Sequence, residues 1–184
     1  ALIWDKTDFM TSLILYPDDV HHLAAEVTKL VIEFYDAWTK RYGVSFIAHY
    51  PEYYMPDGIT FSEDDVGIID EQMFRAFYLP EINKLAERYG GIGVHCCADS
   101  RHQWDNFAAL PNLRVMNLRI VDTEMEFDSY RTFGTTCVHM NQRVPDGPPG
   151  IWKDHYPENV RAIMRTGAGT RDEALSLSQT LADL

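Results

Sequence analysis

His95, Cys96 and Cys97 form a run of metal- and proton-handling side chains directly after the apolar stretch Gly91-Ile92-Gly93-Val94. A short apolar run that follows a helix-like segment reads as a buried parallel strand. The potential ligands then sit at its carboxyl end, where α/β folds place their chemistry. Side chains at i and i+2 of a strand share a side, so His95 and Cys97 face one way and Cys96 the other. An imidazole beside a thiolate suits a thiophilic ion such as zinc. Two ligands do not complete a site, and no second metal-spaced pair follows. The same residues also suit a strand that ends in small buried thiols and one hydrogen-bonded histidine, because free Cys behaves as a small hydrophobe.

The elements that must position this run alternate along the chain. Asp18 or Asp19 is placed to cap a helix with an apolar face of Leu23, Val27, Leu30, Val31, Phe34 and Trp38, and Gly43 ends it. A strand is expected over 44–48 and another over 58–61, leading into the acidic loop Ser62-Glu63-Asp64-Asp65-Val66-Gly67. Asp70 opens an amphipathic helix with Phe74, Phe77, Ile82 and Leu85 on or near one face, and Gly90 follows its end. After the His-Cys-Cys strand come a helix over 102–110, a strand over 114–120, a helix over 123–133 and a strand over 135–139. A Pro-Gly loop spans 145–150 and a short strand 160–166. Thr170 and Glu173 form a capping box for the final helix, which carries Leu175, Leu177 and Leu181. Repeated strand–helix units imply a parallel sheet with helices outside. No internal repeat and no second domain are evident.

The chain has 184 residues, 46% hydrophobic and 12% aromatic, which is enough apolar material for a sizeable core. Its net charge of −12 argues against a nucleic-acid partner, since clustered Lys and Arg drive that binding. No apolar run reaches the length of a membrane span, and Asp5, Lys6 and Asp8 interrupt the first residues, so no secretory signal is expected. Three Cys, two of them adjacent, make no disulfide framework and fit a reducing cytoplasm.

The stretch from Gly58 to Ala98 resembles the uroporphyrinogen decarboxylase superfamily. It shows an acidic loop and Gly67, then Met73-Phe74-Arg75-Ala76-Phe77-Tyr78-Leu79-Pro80, a helix, and a strand that ends in His-x-Cys. Tyr16-Pro17-Asp18 upstream and Tyr156-Pro157-Glu158-Asn159-Val160 downstream fit the same ordering. The resemblance implies a (β/α)₈ TIM-type barrel, a fold that needs about 250 residues. The chain is therefore expected to supply a partial barrel, one domain over 1–184 that lacks the N-terminal part. A half-barrel leaves two open sheet edges and an uncovered inner face. The chain is accordingly expected to be a homo-oligomer or part of a longer polypeptide.

The resemblance is nearer to the cobalamin-linked methyltransferases of the superfamily, through His95 and Cys97. It implies that zinc binds a thiol substrate and presents a thiolate to a methyl group carried by a corrinoid protein. A second, distant Cys completes the site in those relatives, and here Cys137 is the candidate. Ala98 stands where those relatives carry Gly. The alternatives are decarboxylation of tetrapyrrole acetate side chains and a truncated, non-catalytic homologue. Asp64 and Asp65 are the candidate catalytic carboxylates of the acidic loop, beside Glu63: facing the barrel mouth, they can hold substrate, act as general base or supply an oxygen ligand. Further candidates are His139, two residues beyond Cys137, and His49 among Tyr50, Tyr53 and Tyr54. His102 is a candidate supporting group and Arg119 a carboxylate clamp, whereas His21 and His22 read as helix surface.

Overall fold

The computed structural model describes residues 4–43, 55, 57–134, 139–140, 154, 156–163 and 167–183. Two helices come first. Helix α1 (Lys6–Leu15) is capped by Asp5, whose carboxylate accepts from the backbone N–H groups of Thr7 and Asp8 and so satisfies two of the donors a helix start leaves unpaired. The sequence pattern does not announce this helix. Helix α2 (Pro17–Tyr42) begins on Pro17, whose fixed φ suits a first helical position. Asp18 and Asp19 therefore lie inside its first turn rather than capping it, where they still complement the helix dipole. Gly43, at φ 78°, ends the helix in a conformation that favours glycine.

Five parallel strands follow, β1 (Ile59–Ser62), β2 (Ile92–Cys96), β3 (Leu113–Leu118), β4 (His139–Met140) and β5 (Arg161–Ala162). They lie side by side in chain order. Between β1 and β2 the chain passes through a 3₁₀ turn (Asp65–Ile68) and α3 (Glu71–Met73). A π-helical turn (Phe74–Tyr78) then leads into α4 (Leu79–Tyr89). Asp70 caps this run as expected, accepting from the Met73 N–H at 2.7 Å. The π turn has a local cause. Pro80 has no N–H to return to Ala76, and its ring crowds that carbonyl; the turn widens, and the Leu79 N–H bonds to the Phe74 carbonyl five residues back. Between β2 and β3 lie a 3₁₀ turn (Arg101–Gln103) and α5 (Trp104–Ala108). Helix α6 (Thr123–Phe133) links β3 to β4, with Asp122 as its cap. The capping box at Thr170 and Glu173 forms and opens α7 (Arg171–Ala182).

Alternation in the strands gives the sheet two unlike faces. Val94 and Cys96 of β2 and Met116 and Leu118 of β3 pack with Ile82, Ala86, Phe107, Met125 and Phe133 from α4, α5 and α6. Those helices therefore cover one face, as right-handed crossovers between sequential parallel strands require. The opposite face carries Thr60 and Ser62, Gly93 and His95, and Val115 and Asn117, in register across three strands. Ile59 and Leu85 form a second small cluster with Val31, Tyr35 and Trp38 of α2. The apolar face read on α2 is only partly covered, however, and Leu30 and Phe34 stay exposed. Helix α7 buries no side chain. The result is a mixed α/β fold on a parallel sheet. No helix among the described residues is long and apolar enough to cross a membrane. The strand expected over 44–48, the loop over 145–150, and His49 with its tyrosines lie outside the described residues.

Candidate metal centre

Strand β2 delivers His95 and Cys97 to the same side, and Cys96 turns the other way into the core. Neighbouring β1 ends at Ser62, which pairs with His95. The chain stays beside β2 for one more bond, from the Glu63 N–H to the His95 carbonyl at 2.8 Å. Asp64 then lies next to the first residue after β2, and its Oδ1 accepts the Cys97 N–H at 2.7 Å. One ligand atom each from Asp64, His95 and Cys97 falls within 4.8 Å of the other two. Three atoms at that limit share a centre ~2.8 Å from each, so shifts of about 0.5–0.8 Å bring them to zinc bonding distance.

Neighbouring groups orient the three side chains. His95 Nδ1 lies 2.5 Å from Asn117 Oδ1 on β3. With the amide oxygen facing it, Nδ1 carries the proton and Nε2 the lone pair. Nε2 stands 4.0 Å from Asp64 Oδ1, on the side where Cys97 lies. A hydrogen bond to the far nitrogen is how metal-binding histidines are held in tautomer and in plane. Ser62 Oγ donates to Asp64 Oδ2 at 3.4 Å. Burial raises the Asp64 pKa, but hydrogen bonds from the Cys97 backbone and thiol outweigh it, aided by His95 and Ser62, and hold the carboxyl below its ordinary value. The same thiol–carboxylate bond, with some desolvation, pushes the Cys97 thiol up. Without a metal the proton therefore rests on sulfur and points at Asp64; a metal would displace it, as thiolate ligation requires. The donor set of imidazole, thiolate and carboxylate is one that zinc accepts.

The loop that follows Cys97 packs tightly on the loop that follows Asp64. A Cβ on Gly67 would come 2.8 Å from the Ala98 Cβ and 3.0 Å from the Asp99 carbonyl oxygen. Gly67 thus makes the room that Ala98 needs.

The three acidic residues of the loop part company. Asp64 joins His95 and Cys97. Asp65 turns to α1 and pairs with Lys6 Nζ at 2.5 Å, which takes it away from the centre. Glu63, one residue the other side of Asp64, faces the helical layer with Phe61; burial, then the charges of Asp65 and Asp64, push its pKa up to about 7. Cys137 lies outside the described residues, so the Cys137–His139 pair does too. His102 bonds to the Ile69 carbonyl at 2.9 Å and secures the loop before α3. Arg119 is exposed just past β3. His21 is exposed on α2 and stacks on Phe77 with ring centroids 4.6 Å apart. Asn117 is the side chain at this centre that the sequence pattern did not single out. Its signal was there, a single amide in the apolar strand Leu113-Arg114-Val115-Met116-Asn117-Leu118, at the position that alternation sends to the His95 face.

The chain matches no family model, no curated protein and no solved structure.

Proposed function

We propose that the chain is an arc of a (β/α)₈-type barrel that binds zinc through Asp64, His95 and Cys97 and activates a thiol to accept a methyl group. The strand order supports the barrel reading. Sequential parallel strands with their helices on one face are wound as a barrel is wound, whereas a doubly wound sheet reverses its order partway. The polar row Ser62, His95 and Asn117 then lines the inner side near the carboxyl ends of the strands, the end at which barrels carry their active sites.

The convergence of Asp64, His95 and Cys97, with Asn117 fixing the histidine tautomer, supports the metal reading. Three protein ligands leave a fourth position open, the mark of a catalytic zinc site rather than a structural one. Zinc bound there would lower the pKa of a thiol substrate and favour its thiolate near neutral pH. Asp64 and Cys97 supply negative charge, His95 supplies a neutral nitrogen, and the proton displaced from Cys97 leaves to solvent. The resemblance of His95 and Cys97 to the His-x-Cys of the cobalamin-linked methyltransferases supports a methyl corrinoid on a partner protein as the co-substrate. In such a transfer the sulfur–carbon bond would form as the bond from the methyl group to its carrier breaks. The electron pair would stay with the carrier, and the thiol proton would be released to solvent.

The test begins with the metal. Protein purified without chelator should carry about one equivalent of zinc, and Cys97→Ser should lose most of it while keeping its far-UV circular dichroism. The zinc protein should then demethylate methylcobalamin in the presence of a small thiol. A wild-type protein that neither retains nor takes up zinc, or a Cys97→Ser variant that binds it stoichiometrically, overturns the assignment.

A further inference from the structure

Behind the metal centre, on the helical side of the sheet, a pocket of about 480 Å³ opens between the α1–α2 pair and the β1–α4 unit. Trp4, Phe9, Phe61, Phe77 and Tyr78 stand around it. Their positions are held from several sides. The Lys6–Asp65 ion pair ties the start of α1 to the acidic loop, Trp4 and Phe9 pack edge to face, and the π turn carries both Phe77 and Tyr78.

Two carboxyl groups face this apolar space. The Glu63 carboxyl has no hydrogen bond or ion pair among the described residues. Glu81 uses Oε1 to pair with Lys84 at 2.6 Å, but its Oε2 is buried without a partner. Neither Lys nor Arg is among the described residues that line the pocket. An unsatisfied carboxylate oxygen in an apolar site is costly, and aromatic faces attract cations. Both features call for positive charge on an apolar body.

We propose that this pocket is a binding site for a small organic ammonium, an amine whose charged nitrogen meets Glu63 and Glu81 and whose apolar body lies against the aromatic walls. The volume suits a single ring system with a short chain. The site is independent of the metal centre. Glu63 and Asp64 are adjacent in sequence, but they serve opposite faces of the sheet.

The experiment compares three probes with one aromatic body: tryptamine, indole-3-ethanol and indole-3-propionate, titrated calorimetrically into chelator-treated protein at pH 7.5. Tryptamine should bind, the alcohol roughly tenfold more weakly or worse, and the carboxylate not at all. Glu63→Gln should weaken tryptamine by roughly tenfold and leave the alcohol unchanged. Ala24→Phe, which fills the pocket from the surface of α2, should abolish binding and serves as the second variant should Glu63→Gln fail to fold. Equal binding of the ammonium and the carboxylate, no binding of tryptamine, or tryptamine binding that survives Ala24→Phe overturns the proposal. Chelator treatment empties the metal centre, so zinc-dependent methyl transfer can fail or succeed without bearing on this result.

Discussion

Replacing Glu63 with Gln should change how stability depends on pH, with a sign set by the burial of Glu63 beside Asp65 and Asp64. The Glu63 pKa rises from 4.5 to about 7 through burial first, then through the charges of Asp65 and Asp64. A carboxyl whose folded pKa is raised binds its proton more tightly in the folded state than in the unfolded state. Its contribution is complete below the unfolded value and is lost as pH climbs from there through the folded value. Across that window wild-type protein should lose up to about 3 kcal/mol, at ~1.4 kcal/mol for each pH unit that separates the folded and unfolded values. The pocket admits water, so this figure is an upper bound. Gln keeps the shape and has no charge to desolvate. The stability difference between Glu63→Gln and wild type should therefore climb by about 2–3 kcal/mol between pH 4.5 and 8, in favour of the variant. Urea unfolding followed by circular dichroism, in chelator and at half-unit pH steps, measures it. The other carboxyls titrate in both proteins and cancel in the difference to first order. Asp64, whose pKa is lowered, pulls the opposite way in each protein alike. A difference that stays flat across this range refutes the reasoning, because Glu63 would then be solvated as an ordinary surface carboxyl is.

Two further substitutions probe the metal centre from outside its ligands. Asn117→Leu removes the oxygen that holds the proton on His95 Nδ1, and zinc affinity should fall about 10- to 100-fold in competition with a chromophoric chelator. Unchanged affinity would mean that the tautomer is set elsewhere. Gly67→Ala forces a Cβ to 2.8 Å from that of Ala98, so the loop after Cys97 must shift. Zinc affinity should drop while the urea midpoint moves only modestly, consistent with an overpacking cost of ~1–3 kcal/mol.

What was legible in the sequence follows from the range of each interaction. His95 and Cys97 could be put on one side because strand alternation is local and strict, and the burial of Cys96 bears this out. The caps at Asp70, Asp122 and Thr170 lie in the few residues around each helix start; of these, Asp70 and Thr170 were read directly. The role of Asp64 was harder. Three consecutive carboxylates look alike until the chain leaves β1, and a contact with the Cys97 N–H, thirty-three residues away, decides which of them turns to the centre. The π turn was hidden for a different reason. Pro80 lies inside the helix read from Asp70 to Gly90, and apolar spacing does not reveal that it widens the preceding turn instead of ending the helix. On α2 the periodic apolar face was only partly borne out, because periodicity carries no information about cover: Val27 is exposed. Val20 is buried while Leu30 and Phe34 of the same helix are exposed.

The adjacent residues Glu63 and Asp64 show how one strand end can serve two chemistries. Alternation carries past Ser62, sending Glu63 with Phe61 toward the helices and Asp64 toward His95 and Cys97. The two environments then drive the carboxyls apart. Asp64 receives donors from Cys97 and Ser62 and is held ionised, as a ligand must be. Glu63 meets aromatic and aliphatic walls, has no donor to its carboxyl among the described residues, and is pushed toward its neutral form. The charges of Asp65 and Asp64 add to the rise at Glu63. The metal centre and the apolar pocket are chemically separate, one on each face of the sheet.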